Sequence, residues 1–292
     1  MALESADIPG GLGKPTLVAP PGTCDCHMHV IYPERRFPFI PGKENVFPEH
    51  SCAAYMAAAD SLGIERCVVV LPPFYDFDNA STCLAVQEIG LPARAVVNVG
   101  PDVTDAELEA LDKAGARGAN FFMLPGRCLD WGALKPVAEK VHALGWHVQI
   151  QLDGRLLGDY ADLLGGLPTK IVIDHIGKFL GPADLNHSGF KALLRLLDGG
   201  QTYVKLSAPY ESSLDEPPYM KDAGRRAAAL IKAAPERMLW ASNWPHLGHP
   251  VLADKPENAM MLDVLLAWAE DASVRNAILV DTPARLYGFG GL

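Results

Sequence analysis

Short runs of apolar and β-branched residues recur along the chain, each followed by a segment whose apolar positions fall three or four apart. This alternation predicts repeated strand–helix units. The strand segments are residues 23–30, 64–71, 94–99, 118–123, 146–152, 170–175, 202–206 and 238–241. Helical segments are expected at 51–62, 79–89, 105–114, 134–144, 156–164, 190–197 and 222–233, with a further one at 257–271. In the third, Asp105 opens a run carrying Leu108 and Leu111, a capping-type residue before apolar positions three apart. Eight strands alternating with helices predict an α/β fold, a single (β/α)8 barrel of the TIM type, because parallel strands need crossover helices and eight of them close the sheet. An open doubly wound sheet would carry a Gly-rich phosphate loop after an early strand, and none is present. No break in composition divides the chain, so residues 1–292 are expected to form one barrel domain, with 1–22 a Gly/Pro-rich lead-in. The long segments 32–49, 180–189 and 212–219 are expected to cover the barrel mouth.

Composition narrows the partners. A length of 292 residues with 49% hydrophobic side chains can bury a large core and is incompatible with disorder over most of the chain. The 35 acidic and 25 basic residues give a net charge of −10, which argues against nucleic acid or an anionic membrane surface as partner. Six cysteines without paired ligand spacing suit reduced thiols in a cytoplasm. No apolar run is long enough to span a bilayer, and the first residues lack a signal-peptide pattern.

In a closed barrel the chemistry sits where strands end, so polar residues there carry the information. The first strand offers Asp25, His27 and His29 at alternate positions, which places both imidazoles on one face. The second is followed by Tyr75, Asp76 and Asp78, of which Asp78 can equally cap the next helix. The fourth ends with Asn120, and the fifth presents Gln149, Gln151 and Asp153. The sixth ends Asp174-His175, the seventh leads to Lys205, Ser207 and Tyr210, and the eighth runs into Ser242, Asn243 and His246. Lys205 reads either as a site residue or as one half of a buried ion pair. His27, His29 and His175 can converge at one mouth. Three imidazoles there can hold zinc or, without metal, donate hydrogen bonds to an oxygen that becomes negative when a carbonyl is attacked. His50, His142, His147, His187 and His249 read as structural or exposed.

The segments PPGTCDCHMH, GIERCVVV, AGARGANFFML, GWHVQIQLDG, IVIDHIGKF, VKLSAPYE, MLWASNWPH and TPARLYGF, with the Asp78-Asn79 pair, together resemble the amidohydrolase superfamily over nearly the whole chain. They resemble most its metal-independent lactone-processing branch, which includes 2-pyrone-4,6-dicarboxylate lactonases and galactarolactone isomerases. Metal-bearing members imply a carboxylate or modified lysine on strand four, a histidine on strand five and an aspartate on strand eight. Here those strands offer Asn120, glutamines and Asn243, so no cofactor is expected, with one zinc at His27, His29 and His175 as the alternative. In the lactonase the strand-eight aspartate looks like the base that activates water, which an amide cannot do. The resemblance therefore implies isomerisation of D-galactaro-1,5-lactone to the 1,4-lactone by intramolecular acyl transfer, in sugar-acid catabolism. Hydrolysis of the pyrone-lactonase type is the alternative, and a binding protein on a decayed barrel is a further one.

In the expected scheme His27, His29 and His175 polarise the lactone carbonyl. Asp78, or else Asp76, takes the proton of the attacking hydroxyl, and Asn243 holds that hydroxyl. Arg127, Lys178 or Lys205 pairs with the free carboxylate. Asn120, Gln151 and Tyr210 read hydroxyls, and Tyr75 and His246 complete the pocket for a small anionic lactone.

Overall fold

The computed structural model describes residues 14–43, 47–126, 129–215, 220–247 and 258–290. Eight strands pair in chain order, each parallel to the next: β1 (Cys24–Met28), β2 (Arg66–Val70), β3 (Ala93–Val97), β4 (Ala116–Phe122), β5 (His147–Gln151), β6 (Ile171–Ile173), β7 (Thr202–Leu206) and β8 (Met238–Trp240). Between them stand α1 (Cys52–Leu62), α2 (Ala80–Glu88), α3 (Asp105–Lys113), α4 (Trp131–His142), α5 (Leu157–Gly165), α6 (Ser188–Asp198) and α7 (Lys221–Ala233). This is the expected (β/α)8 barrel, and every predicted strand overlaps an observed one. After β8 come α8 (Asn258–Trp268) and two short helices the pattern did not predict, α9 (Ala272–Asn276) and α10 (Thr282–Tyr287). Each of these makes under two turns, too short to show a period. The residue that caps α3 is Thr104 instead of Asp105: its side chain accepts from the Glu107 N–H while Glu107 reaches back to the Thr104 N–H. Among the described residues no helix is long and apolar enough to cross a membrane.

Alternation along the strands separates two cores. Cys67, Val69, Ala95, Val97, Val148 and Ile150 pack outward against helices. Val68, Val70, Val96, Val172 and Leu239 point into the barrel. The inner cluster also takes in Leu286 and Tyr287 of α10 and Phe289, so the C-terminal turn plugs the floor. Arg94 holds the plug: its guanidinium lies 4.7 Å from the Phe289 ring centre and donates to the Tyr287 and Gly288 carbonyls at 3.1 and 2.8 Å.

Strict alternation breaks in β1, and the break positions the chemistry. Asp25 pairs with Cys67 but Met28 with Val69, so three steps on β1 face two on β2, a bulge. Cys26 stays in the inner cluster, and His27 reaches inward as well, to groups on β6 and β7. Asp25 does not share their face. Its carboxylate accepts from Tyr55 Oη of α1 at 3.1 Å and from the Ser242 N–H at 2.9 Å. Two backbone bonds complete the seam beyond β8, from Asn243 N–H to the His27 carbonyl and from His29 N–H to the Trp244 carbonyl, at 3.0 and 2.9 Å. Asp25 is thus a clasp that closes the barrel beside its first histidine.

Candidate active site

The partners of His27 and His29 fix where each imidazole carries its proton. His29 Nδ1 lies 2.8 Å from the Val70 carbonyl, which can only accept, so Nδ1 holds the proton and Nε2 of the neutral ring is bare. That bare Nε2 lies 3.2 Å from His27 Nε2, which must therefore be the protonated nitrogen of His27. The remaining nitrogen, His27 Nδ1, then accepts from Lys205 Nζ at 3.1 Å. The chain of donors runs from Lys205 through His27 and His29 to Val70, and the two histidines of one strand carry opposite tautomers. Burial holds both rings neutral: His27 titrates well below the ordinary imidazole range and His29 is pushed down to about 4, with the Lys205 charge adding to both shifts.

His175 completes the cluster, its ring centre 4.9 Å from that of His27. It stands where β6 ends abruptly, with φ of 54° at His175 and 57° at Ile176, the left-handed region that few non-glycine residues occupy. Its Nδ1 lies 2.8 Å from Ser207 Oγ just beyond β7, while Ser212 Oγ donates to its carbonyl at 3.0 Å. Burial depresses this imidazole as well. Beneath the histidines lies a polar layer. Gln149 Nε2 donates to Asp174 at 3.0 Å and to Asn120 Oδ1 at 3.4 Å, and its Oε1 accepts from Lys205.

A second group rims the mouth. Asn243, at φ 60°, donates from Nδ2 to Tyr210 Oη at 2.8 Å and to Glu211 Oε1 at 3.1 Å. A carboxylate only accepts, so the Asn243 nitrogen faces Glu211 and its oxygen is the atom suited to receive a hydroxyl. Glu211 also pairs with Lys178, and His246 bridges Tyr210 Oη and Asn258 Oδ1 at 2.9 Å each.

The structure thus assembles His27, His29 and His175 directly over Lys205, Gln149 and Asn120, and ties Asn243, Tyr210, His246 and Lys178 together at the rim. Other expected roles change. Asp78 is exposed, and its Oδ1 accepts the Ala80 N–H at 3.0 Å, which closes a turn onto the first residue of α2 just outside the N-cap Asn79, so its carboxylate is engaged there and not at the histidines. Lys205 cannot pair with a substrate carboxylate, because it is fully buried below the histidines and its donors face Asp174, His27 and Gln149. Tyr75 packs between Phe39 and Phe74 in an aromatic cluster. Gln151 ends β5 at the mouth, almost buried. Arg127 lies outside the described residues. Glu211 was missed by sequence reasoning; it follows Tyr210 in a loop with no period to flag it. Asp174 and Gln149 were visible as polar strand residues, but their role beneath the histidines was not.

An amidohydrolase family model matches residues 24–289, the span of the whole barrel. The chain belongs to the amidohydrolase family. This amidohydrolase is 32% identical over 275 residues to a D-galactarolactone isomerase of Agrobacterium fabrum, covering 94% of this chain and 93% of the relative. It is 32% identical over 286 residues to a 2-pyrone-4,6-dicarboxylate hydrolase of Comamonas testosteroni, covering 94% and 92%. An apo crystal structure from Agrobacterium tumefaciens superposes with a TM-score of 0.90 at 31% identity, over 98% of this chain and 99% of that one.

Metal is a question the amidohydrolase family raises, and the donors here answer poorly. Among the described residues, the set whose ligand atoms all lie within 4.8 Å of one another is His27, Asp174 and His175, not the three histidines of the zinc alternative. Asp174 Oδ1 lies 3.3 Å from Lys205 Nζ, and His27 Nδ1 accepts from the same ammonium while its Nε2 carries the proton. His27 therefore has no lone pair to offer, and the one carboxylate of the set is already engaged by a cation. These residues do not fit a divalent ion.

Proposed function

We propose that this amidohydrolase is a lactone isomerase that works without metal, converting D-galactaro-1,5-lactone to the 1,4-lactone by intramolecular acyl transfer. The named lactone-acting relatives support lactone chemistry, and Asn243 is the observation that carries the choice of isomerisation. At the end of β8 it offers an amide oxygen that can hold a hydroxyl but cannot take its proton, and its nitrogen is fixed by Tyr210 and Glu211. A hydroxyl of the substrate itself then replaces a captured water, with the advantage of high effective molarity.

The tautomers divide the work. On binding, the His27 N–H leaves His29 for the lactone carbonyl oxygen, which frees the bare His29 Nε2. That nitrogen takes the proton of the attacking hydroxyl as its oxygen bonds to the carbonyl carbon. His27 and His175 stabilise the resulting oxyanion. Collapse breaks the bond to the original ring oxygen, which recovers the proton from His29. The proton acceptor is thus His29, in place of Asp78 or Asp76. Lys178 at the rim pairs with the free carboxylate, and Gln151 and Tyr210 read hydroxyls, while Asn120 supports Gln149 beneath the histidines in place of its expected hydroxyl contact. The partner is a small anionic lactone, and a cytoplasmic location suits that role.

Glu211 favours a second reading, hydrolysis, since a carboxylate stands 3.1 Å from Asn243. Its oxygens are engaged by Lys178 and Asn243, which leaves them committed to the rim and not aimed at a water. Following D-galactaro-1,5-lactone by NMR tests the proposal: the 1,4-lactone should accumulate before any open-chain acid. Open acid as the first product, from this lactone or from a pyrone dicarboxylate, overturns it.

A further inference from the structure

Lys205 does not touch the lactone in the proposed acyl transfer, yet it occupies the centre of the polar layer. Its side chain is fully buried inside the barrel, at a β7 position that alternation gives to the inner core. Its ammonium donates to His27 Nδ1 of β1 at 3.1 Å and to Gln149 Oε1 of β5, and forms an ion pair with Asp174 Oδ1, just beyond β6, at 3.3 Å. Fully buried, it presents no donor to substrate. Held by two hydrogen bonds and one ion pair, this charged group is a fixed part of the scaffold.

We propose that Lys205 is an internal cation that stands where a metal would act, and that it keeps divalent ions out of the histidine cluster. It does so twice over. By donating to His27 Nδ1 it forces the His27 proton onto Nε2, so the ring faces the mouth as a donor and has no lone pair for a metal. By pairing with Asp174 it neutralises the carboxylate that would make His27, Asp174 and His175 an attractive set for a cation. Lys205 is therefore a positioning residue: it acts through His27 and never touches the lactone. This inference deepens the metal-free reading and rests on it.

The consequence is that removing one ammonium should create a metal site. Lys205→Met keeps most of the length of the side chain and removes its charge and donors. Purified wild-type protein and the variant would be incubated with zinc, passed through a desalting column and measured by elemental analysis. The expected result is about one zinc per chain in Lys205→Met and next to none in the wild type. A folded variant that takes up no more zinc than the wild type overturns the role of Lys205 while leaving the metal-free reading intact. A wild type that itself holds about one zinc overturns both. Should Lys205→Met fail to fold, nitrogen-15 NMR of the wild-type imidazoles decides. His27 protonated at Nε2 with Nδ1 accepting supports the inference, and His27 protonated at Nδ1, facing Asp174, overturns it.

Discussion

Two histidines are buried inside the same barrel, His27 at the mouth and His147 near the floor, and they differ in partners far more than in burial. Desolvation holds both neutral; His147 is pushed down to about 3. His147 lies edge-on to Tyr287, ring centres 5.3 Å apart, and its Nε2 comes so near Gly118 that a Cβ there would sit 2.5 Å away. It is a packed piece of the floor. His27 is bracketed by Lys205 below and His29 beside it, each fixing one of its nitrogens. A depressed pKa therefore does not distinguish a chemical histidine in this barrel. Partners that fix the proton, and a neighbour with the opposite tautomer, do.

The sharpest way to break this contrast is to remove each ring. His27→Ala should lower lactone turnover about 10²–10³-fold, the usual loss for an oxyanion donor. His147→Leu should leave turnover about unchanged and lower stability by about 1–3 kcal/mol. Steady-state kinetics and denaturant melts on both variants check this, and equal losses of activity would erase the distinction.

The shared neutrality of the buried rings predicts an effect of pH on stability. An unfolded imidazole titrates near 6.5, whereas His29 in the fold titrates at about 4. Between these values the unfolded chain binds the extra proton, so stability is full above about 6.5 and falls as pH drops toward 4. His29 alone accounts for on the order of 3 kcal/mol of that loss. Denaturant melts across this window check it, and a His29→Asn variant should show a visibly shallower decline. Activity, if His29 is the base, should show no acid limb near the ordinary imidazole value.

A smaller effect concerns the rim. Asn243→Ala should lower kcat about tenfold by loosening the reacting hydroxyl, with less change in KM; turnover within about a factor of two of wild type would remove Asn243 from the mechanism. The smallest concerns Asp78. If it only closes the turn into α2, Asp78→Asn should keep turnover nearly intact and cost less than about 1 kcal/mol of stability. A loss of several orders of magnitude would return Asp78 to the chemistry.

The barrel was legible because parallel strands bury both faces and so stand out as short apolar runs; residues 202–206 were read to the residue. The floor plug was not, because the contact of Arg94 with Phe289 joins distant parts of the chain and leaves no local period. At the site, the histidines were visible as polar residues on otherwise apolar strands. What alternation misassigned was Asp25, since a bulge between it and Met28 turns it away from the histidines. Tautomers lay beyond the sequence altogether: they depend on Val70, Lys205 and Ser207, which meet the histidines only through barrel closure. Asp78 shows the converse, a carboxylate whose sequence position fitted two roles and whose local geometry is that of a turn leading into α2.

The central claim is that the attacking oxygen belongs to the substrate. Converting D-galactaro-1,5-lactone in water labelled with heavy oxygen, and weighing the product by mass spectrometry, tests it most directly. A substrate hydroxyl as nucleophile gives a 1,4-lactone carrying no label. One labelled oxygen in every product molecule would contradict it and make the enzyme a hydrolase.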